Sequence, residues 1–234
     1  MPLLVLLRHG QSQWNLEDRF TGWVDVDLSA EGEAEARQAG ELIRDAAFAF
    51  DRAFVSVLTR AIRTADIALA IAGQLWIPME KHWRLNERHY GGLTGLNKTE
   101  TAQRHGAGQV RLWRRSYDVP PPPLAPGGPY DLSADRRYAG VAVPATESLK
   151  STLERVQPYW EGRIAPELAA GETLIIGAHG NSLRAIVKLI FEVSDAVIPG
   201  VEIPTGNPLA IELDAALKPR SAGYLDPVRA QPLP

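Results

Sequence analysis

Apolar residues gather in three short runs, unbroken at positions 3–7 and similar at 53–58 and 173–178. None carries the polar alternation of a half-exposed strand, so each predicts a strand buried on both faces of a sheet. Between the runs the period lengthens to that of helices. Ser29 stands at a capping position, Glu31 and Glu33 fall in the first turn where the helix dipole favours acids, and Ala39, Leu42, Ile43 and Ala46 follow on one face. A second helix is predicted over 60–72, with Ile62, Ala65, Ala68 and Leu69 as its stripe and Gly73 as its stop. Residues 146–168 form a long amphipathic stretch through Leu149, Leu153, Val156, Trp160 and Ile164, which Pro158 and Pro166 should kink or split. Another helix is expected over 182–191 and a last strand over 208–213. Strands alternating with helices predict an α/β fold of three layers, a mostly parallel sheet flanked by helices.

One segment fits neither period. Residues 117–144 contain Pro120 to Pro123 in a row and the run Pro126, Gly127, Gly128, Pro129, which excludes regular helix and central strand. No second core is apparent on either side of it. The 234 residues therefore read as one domain, with 117–144 as a lid or insertion.

Composition narrows the classes. Charged residues make up 23% and the formal net charge is −3, against a general nucleic-acid binder. The chain has no cysteine, which removes disulfides, thiolate metal ligands and thiol nucleophiles. The first apolar run is too short for a signal-peptide core, and no run reaches membrane-spanning length. A soluble, cytoplasmic protein without membrane or nucleic-acid partners is expected.

The candidate chemistry lies at the strand ends. The first run leads into Arg8, His9, Gly10, Gln11 and Ser12; the third leads into His179, Gly180, Asn181 and Ser182. Ligands of open parallel sheets bind beyond the carboxyl ends of the strands, so the two histidines and Arg60, just past the second run, should converge. Guanidinium groups at Arg8 and Arg60 suit a phosphoryl group, which they can grip by paired hydrogen bonds. Their charge also disfavours protonation of a nearby imidazole, leaving it free to attack. Gly10 and Gly180 would let backbone N–H groups come close, and the helix after His179 could add its positive end. The five histidines show no metal-ligand spacing, so no metal is expected. His82, His105 and the six tryptophans read as surface or packing residues.

Longer motifs make the reading specific. The run from Leu7 to Asn15, the run Phe20, Thr21, Gly22, Trp23, and the segments 85–91, 95–98 and 113–115 resemble the cofactor-dependent phosphoglycerate mutases of the histidine phosphatase superfamily. The runs 178–185 and 203–206 complete the resemblance, which covers about residues 3–213; the Pro-rich 119–129 stretch departs from the more charged insertion common in relatives. By this resemblance the fold is phosphoglycerate mutase-like, His9 is the nucleophile that becomes phosphohistidine, and His179 is its partner. Arg8, Asn15, Arg60, Gly180 and Asn181 match phosphoryl contacts. Gln11, Ser12, Gln13 and Trp14 lie in the same binding segment, with Thr21 and Gly22 nearby. Glu87 matches the proton donor and acceptor, Arg88, His89 and Tyr90 adjoining substrate contacts, and Lys98, Arg114 and Arg115 the cations that hold the carboxylate and the non-transferred phosphate.

The resemblance implies interconversion of 3-phosphoglycerate and 2-phosphoglycerate in glycolysis and gluconeogenesis, primed by 2,3-bisphosphoglycerate, without a metal, in a homodimer or homotetramer. Two other readings remain at this stage. A histidine-type phosphomonoesterase would let water accept the phosphoryl group, and a non-catalytic phospho-ligand binding protein would keep the fold without the chemistry.

Overall fold

A computed structural model describes residues 2–233. Its strands are β1 (Leu3–Arg8), β2 (Arg52–Val55), β3 (Met79–Lys81), β4 (Thr173–Ala178), β5 (Leu209–Leu213) and β6 (Pro219–Tyr224). They form one sheet in the order β3-β2-β4-β1-β5-β6. The first four in that order run parallel, while β5 and β6 are antiparallel to their neighbours.

The apolar runs serve two cores at once. Successive side chains of a strand point to opposite faces. Leu4, Leu6, Leu174 and Ile176 therefore enter one core, and Val5, Leu7 and Ile175 the other. The first core is closed by α6 (Leu149–Tyr159), α7 (Ala165–Ala169) and α8 (Gly180–Ile190), the second by α2 (Ala30–Asp45) and α3 (Thr59–Ile71). This is the three-layer α/β arrangement expected. A third small core of Phe20, Leu93 and Val110 lies under α4 (Lys98–His105) and α5 (Ala107–Arg115); α1 (Gln13–Leu16) is a single turn.

Several boundaries move. Ser29 caps α2 as expected, its hydroxyl accepting from the Gly32 amide, yet Leu42 and Ala46 are only half-buried while Gly32 and Ala36 join the inner face. The second run leaves the sheet at Val55, and Ser56, Val57 and Leu58 turn towards α3. The long amphipathic stretch is split as its prolines require: α6 passes through Pro158, widens into a π turn over Trp160–Ile164 and resumes as α7. The last predicted helix begins earlier, at Gly180.

Segment 117–144 has a single 3-10 turn, Arg136–Tyr138, as its regular structure. It is pinned rather than draped. Pro122 O accepts from the Gly92 amide at 2.7 Å, Pro121 O from Thr146 Oγ1 at 2.8 Å, and the buried Tyr138 ring packs 4.9 Å from that of Trp23.

Candidate active site

β1 and β4 are adjacent and parallel, with Arg8 opposite Ala178. The His9 amide extends the ladder by donating to Ala178 O at 3.0 Å. The next residues, His9 and His179, therefore leave the sheet side by side, with ring centroids 4.9 Å apart.

Local contacts set the proton on each ring. His9 is 3% exposed and its Nδ1 lies 2.6 Å from Gly10 O. A carbonyl can only accept, so Nδ1 carries the hydrogen. Burial, and then the charges of Arg60 and Arg8, hold the His9 pKa well below the ordinary histidine range. With one proton, placed on Nδ1, the lone pair is on Nε2. Burial thus does more than the guanidinium charges that sequence reasoning credited. His179 is fully buried with Nε2 2.7 Å from Ser56 Oγ, and its Nδ1 has no protein partner. Burial, then Arg60 and His9, depress its pKa in the same way.

The cations are held by backbone. Arg60, 1% exposed, donates to Gly22 O at 2.8 Å and to Val24 O at 2.9 Å, tying that loop to the start of α3. Burial pushes its pKa down to about 10, against the pull of Glu87 and Asp25, so it stays charged at neutral pH. Arg8 donates to Ile203 O at 2.8 Å, while its Nε is buried without a partner. Thr21 Oγ1 is buried and unpartnered as well. Unsatisfied donors beside a cationic hollow are costly unless a ligand accepts from them.

Glu87 is the acid of the site. Its Oε1 accepts from the Arg88 amide at 2.7 Å and from the Asn181 amide at 3.1 Å, in the first turn of α8. The positive end of that helix therefore steadies a protein carboxylate. Asn181 Nδ2 donates to Tyr90 Oη at 3.3 Å. For Tyr90, burial works against ionisation, but Arg88 and Arg114 acting together lower the phenol pKa.

Two small cavities meet here. One, of about 110 Å³, is lined by Arg8, His9, Asn15, Thr21, Gly22, Arg60 and Lys98 among others. The second, of about 100 Å³, includes Arg115, Gly180 and Asn181; Arg8, Glu87, Tyr90 and Arg114 border both. Most of the expected site residues thus converge, with His179 buried behind His9.

Others lie elsewhere. Gln13 is exposed, Ser12 caps α1, and the Trp14 ring takes the Arg19 guanidinium at 4.0 Å. Gln11 accepts from Ser29 Oγ at 2.8 Å. Arg88 is buried beneath the site and donates to Arg114 O at 2.9 Å. His89 turns away, its Nδ1 accepting from the Gly91 amide and its ring edge-on to Trp23. The expectation for Gly10 is corrected: its N–H is used by Thr64 Oγ1 at 3.1 Å, and a Cβ there would stand 2.2 Å from Gly32 O. Glycine is required there for backbone packing against α2, not for phosphate.

Sequence reasoning missed Ser56, Arg19, Arg184 and Glu202. Arg19 lines the first cavity, and Arg184 and Glu202 line the second. Arg184 was detectable, since it follows Gly180 by four residues on the same face of α8. Ser56 was hidden inside a predicted strand.

The chain belongs to the histidine phosphatase superfamily (branch 1), which it matches over residues 4–216. Within it, the chain is similar to the 2,3-bisphosphoglycerate-dependent phosphoglycerate mutase of Caulobacter sp. (strain K31), at 71% identity over 100% of this chain and 99% of that one. The protein of the same description from Hyphomonas neptunium is 62% identical over 100% of this chain and 99% of its own. Among solved structures, a mycobacterial glucosyl-3-phosphoglycerate phosphatase complexed with VO3 aligns with a TM-score of 0.69 at 22% identity, covering 90% of this chain and 92% of that one. A putative alpha-ribazole-5'-P phosphatase from Escherichia coli aligns with a TM-score of 0.70 at 18% identity, over 96% and 95%. Those two share the fold.

Proposed function

We propose that this protein interconverts 3-phosphoglycerate and 2-phosphoglycerate through a phosphohistidine at His9 and bound 2,3-bisphosphoglycerate. The observation that carries this reading is the neutral His9 ring, its Nε2 lone pair free, beside His179 and within reach of a buried carboxylate, Glu87. Water and a substrate hydroxyl both need an acceptor for the proton they lose, so Glu87 serves either reaction. The added cations Lys98, Arg114 and Arg115 around the cavities, suited to a carboxylate and a second phosphate, favour the mutase.

The residues fit a polyanion. Arg8 Nε and Thr21 Oγ1 offer buried, unused hydrogen-bonding capacity, and Lys98, Arg114 and Arg115 extend the positive lining. When bound, 2,3-bisphosphoglycerate supplies the phosphoryl group that primes His9. Arg8 and Arg60 neutralise charge on the transferring oxygens, and His179 stands beside the path to stabilise them. Gly10 O holds the His9 ring through Nδ1, so that Nε2 faces phosphorus. In the transfer from phosphorylated His9, the P–N bond breaks as the substrate hydroxyl forms a P–O bond, and Glu87 takes the proton. In the return, Glu87 gives the proton back to the other oxygen while Nε2 accepts the second phosphoryl group. Lys98, Arg114 and Arg115 hold the carboxylate and the phosphate not being moved. We read Gln11 to Trp14, Arg88 and His89 as supports of this site.

The same reading places the enzyme in the cytoplasm, in glycolysis and gluconeogenesis, without a metal and as a homodimer or homotetramer. Segment 117–144 is read as the Pro-rich lid or insertion of a single domain, anchored on the 86–95 loop through Gly92 and Asn86. The test is a product assay with and without added 2,3-bisphosphoglycerate. Isomerised phosphoglycerate, stimulated by the bisphosphate, is expected; free phosphate as the main product would replace this reading with a phosphomonoesterase. An acid-labile label from radiolabelled 2,3-bisphosphoglycerate, absent in His9→Ala, excludes a pure binder.

A further inference from the structure

Beyond the two inner cavities lies an open hollow of about 670 Å³ between α4, α5 and the segment after α8. Three charged side chains, Arg114, Arg115 and Glu202, border both this outer hollow and the 100 Å³ inner cavity. The last two are paired with each other: Arg115 Nη2 donates to Glu202 Oε1 across the doorway between the two. Arg115 ends α5, and Glu202 follows the turn Ile198–Gly200, so the pair joins opposite walls.

The backbone around Glu202 does not depend on this pair. Ile203 O accepts from Arg8, Ile198 O from Arg184 at 2.6 Å, and Glu202 O from Tyr224 Oη at 3.2 Å. Among the described residues the Glu202 carboxylate has no other partner, and Arg115 makes no other side-chain bond. The side chains are 48% and 34% exposed, enough to separate without unpacking anything. The neighbouring pair of Lys98 and Asp18 is different, because Asp18 also accepts from the Thr99 amide and hydroxyl and so braces α4.

We propose that Glu202 is a built-in competitor for Arg115, an internal carboxylate that the incoming phosphate or carboxylate of the substrate must displace. The proposal rests on the reading of Arg115 as a substrate contact. Free Arg115 would draw in any small anion. Paired Arg115 yields only to a ligand that is also held by Arg8, Lys98 and Arg114, so the doorway favours a ligand with two anionic groups. Glu202 is thus a residue that sets affinity and selectivity without touching the reacting atoms.

The experiment is calorimetric titration of 3-phosphoglycerate, at low ionic strength, into wild type, Glu202→Gln, Arg115→Ala and the double variant. Glu202→Gln should tighten binding about two- to five-fold, the range expected for releasing a partly exposed ion pair. In the Arg115→Ala background the same change should have no effect. Unchanged or weaker binding in Glu202→Gln overturns the proposal, as does equal tightening without Arg115, which would be a general charge effect. The mutase reading is judged apart from this, by the wild-type product assay.

Discussion

Ser56 Oγ lies 2.7 Å from His179 Nε2, where the chain has just left β2. The same oxygen accepts from the Leu58 amide at 3.2 Å, which holds the hydroxyl in place against the imidazole. The contact thus fixes the orientation of the His179 ring, whose Nδ1 has no protein partner. Ser56→Ala should therefore lower kcat by about ten- to a hundred-fold with KM little changed, as expected when a catalytic group loses its orientation. Steady-state kinetics would check this, and a rise in KM alone would point to a structural effect instead.

Glu87 should separate transfer from binding. A glutamine there can still accept from the Arg88 and Asn181 amides through its carbonyl, so the loop and α8 stay in place. It cannot take the hydroxyl proton. Glu87→Gln is expected to reduce kcat by about 10²- to 10⁴-fold. Affinity for 3-phosphoglycerate should stay within a few-fold of wild type, read by calorimetry. Near-normal turnover would remove Glu87 from the mechanism.

The two histidines also make stability depend on acidity. In the unfolded chain each protonates near ~6.5, whereas in the native state burial and neighbouring arginines keep both neutral to much lower pH. Below ~6.5 the unfolded chain thus binds protons that the folded one refuses, and stability falls with pH; above 7 these groups have no effect. Between pH 7.5 and 5.5 the pair should lower the unfolding free energy by about 3 kcal/mol. His82 and His89, whose pKa values burial also lowers, act in the same direction. Urea melts at the two pH values measure the effect, and a His9→Asn variant should show a visibly smaller difference. Nitrogen chemical shifts of the His9 ring should remain those of the Nδ1–H tautomer at pH 6.

Gly10 offers a purely steric test. Its Cβ would collide with backbone, and α2 could move away only by opening its contacts with α3. Gly10→Ala should cost about 1–3 kcal/mol, a typical price of overpacking. Gly162→Ala, where a Cβ meets nothing within 4 Å, should leave the melting temperature close to wild type.

The parts legible in the sequence were those whose signal is carried by the residues themselves. β1 and β4 show as apolar runs because both faces are covered, and the histidines that follow them inherit their placement from the strands. β3 and β6 were not visible. The three residues of β3 are partly or fully exposed, and β6 contains Pro219 and Gly223 with mostly polar neighbours. Such edge strands exist because a partner strand supplies hydrogen bonds, which no local pattern encodes. Gly10 misled for a related reason: a glycine after a strand looks like a phosphate loop, and only the approach of Gly32 shows its purpose. Ser56 and Glu202 matter through partners 123 and 87 residues away in sequence.

The ladder that sets Arg8 against Ala178 has a final consequence. A slip of one residue between β1 and β4 would bury comparable apolar area yet send one imidazole to the opposite face of the sheet. Misfolded copies of that kind would pass a circular-dichroism check while remaining inert. Turnover per molecule after refolding is therefore a direct count of correctly paired chains.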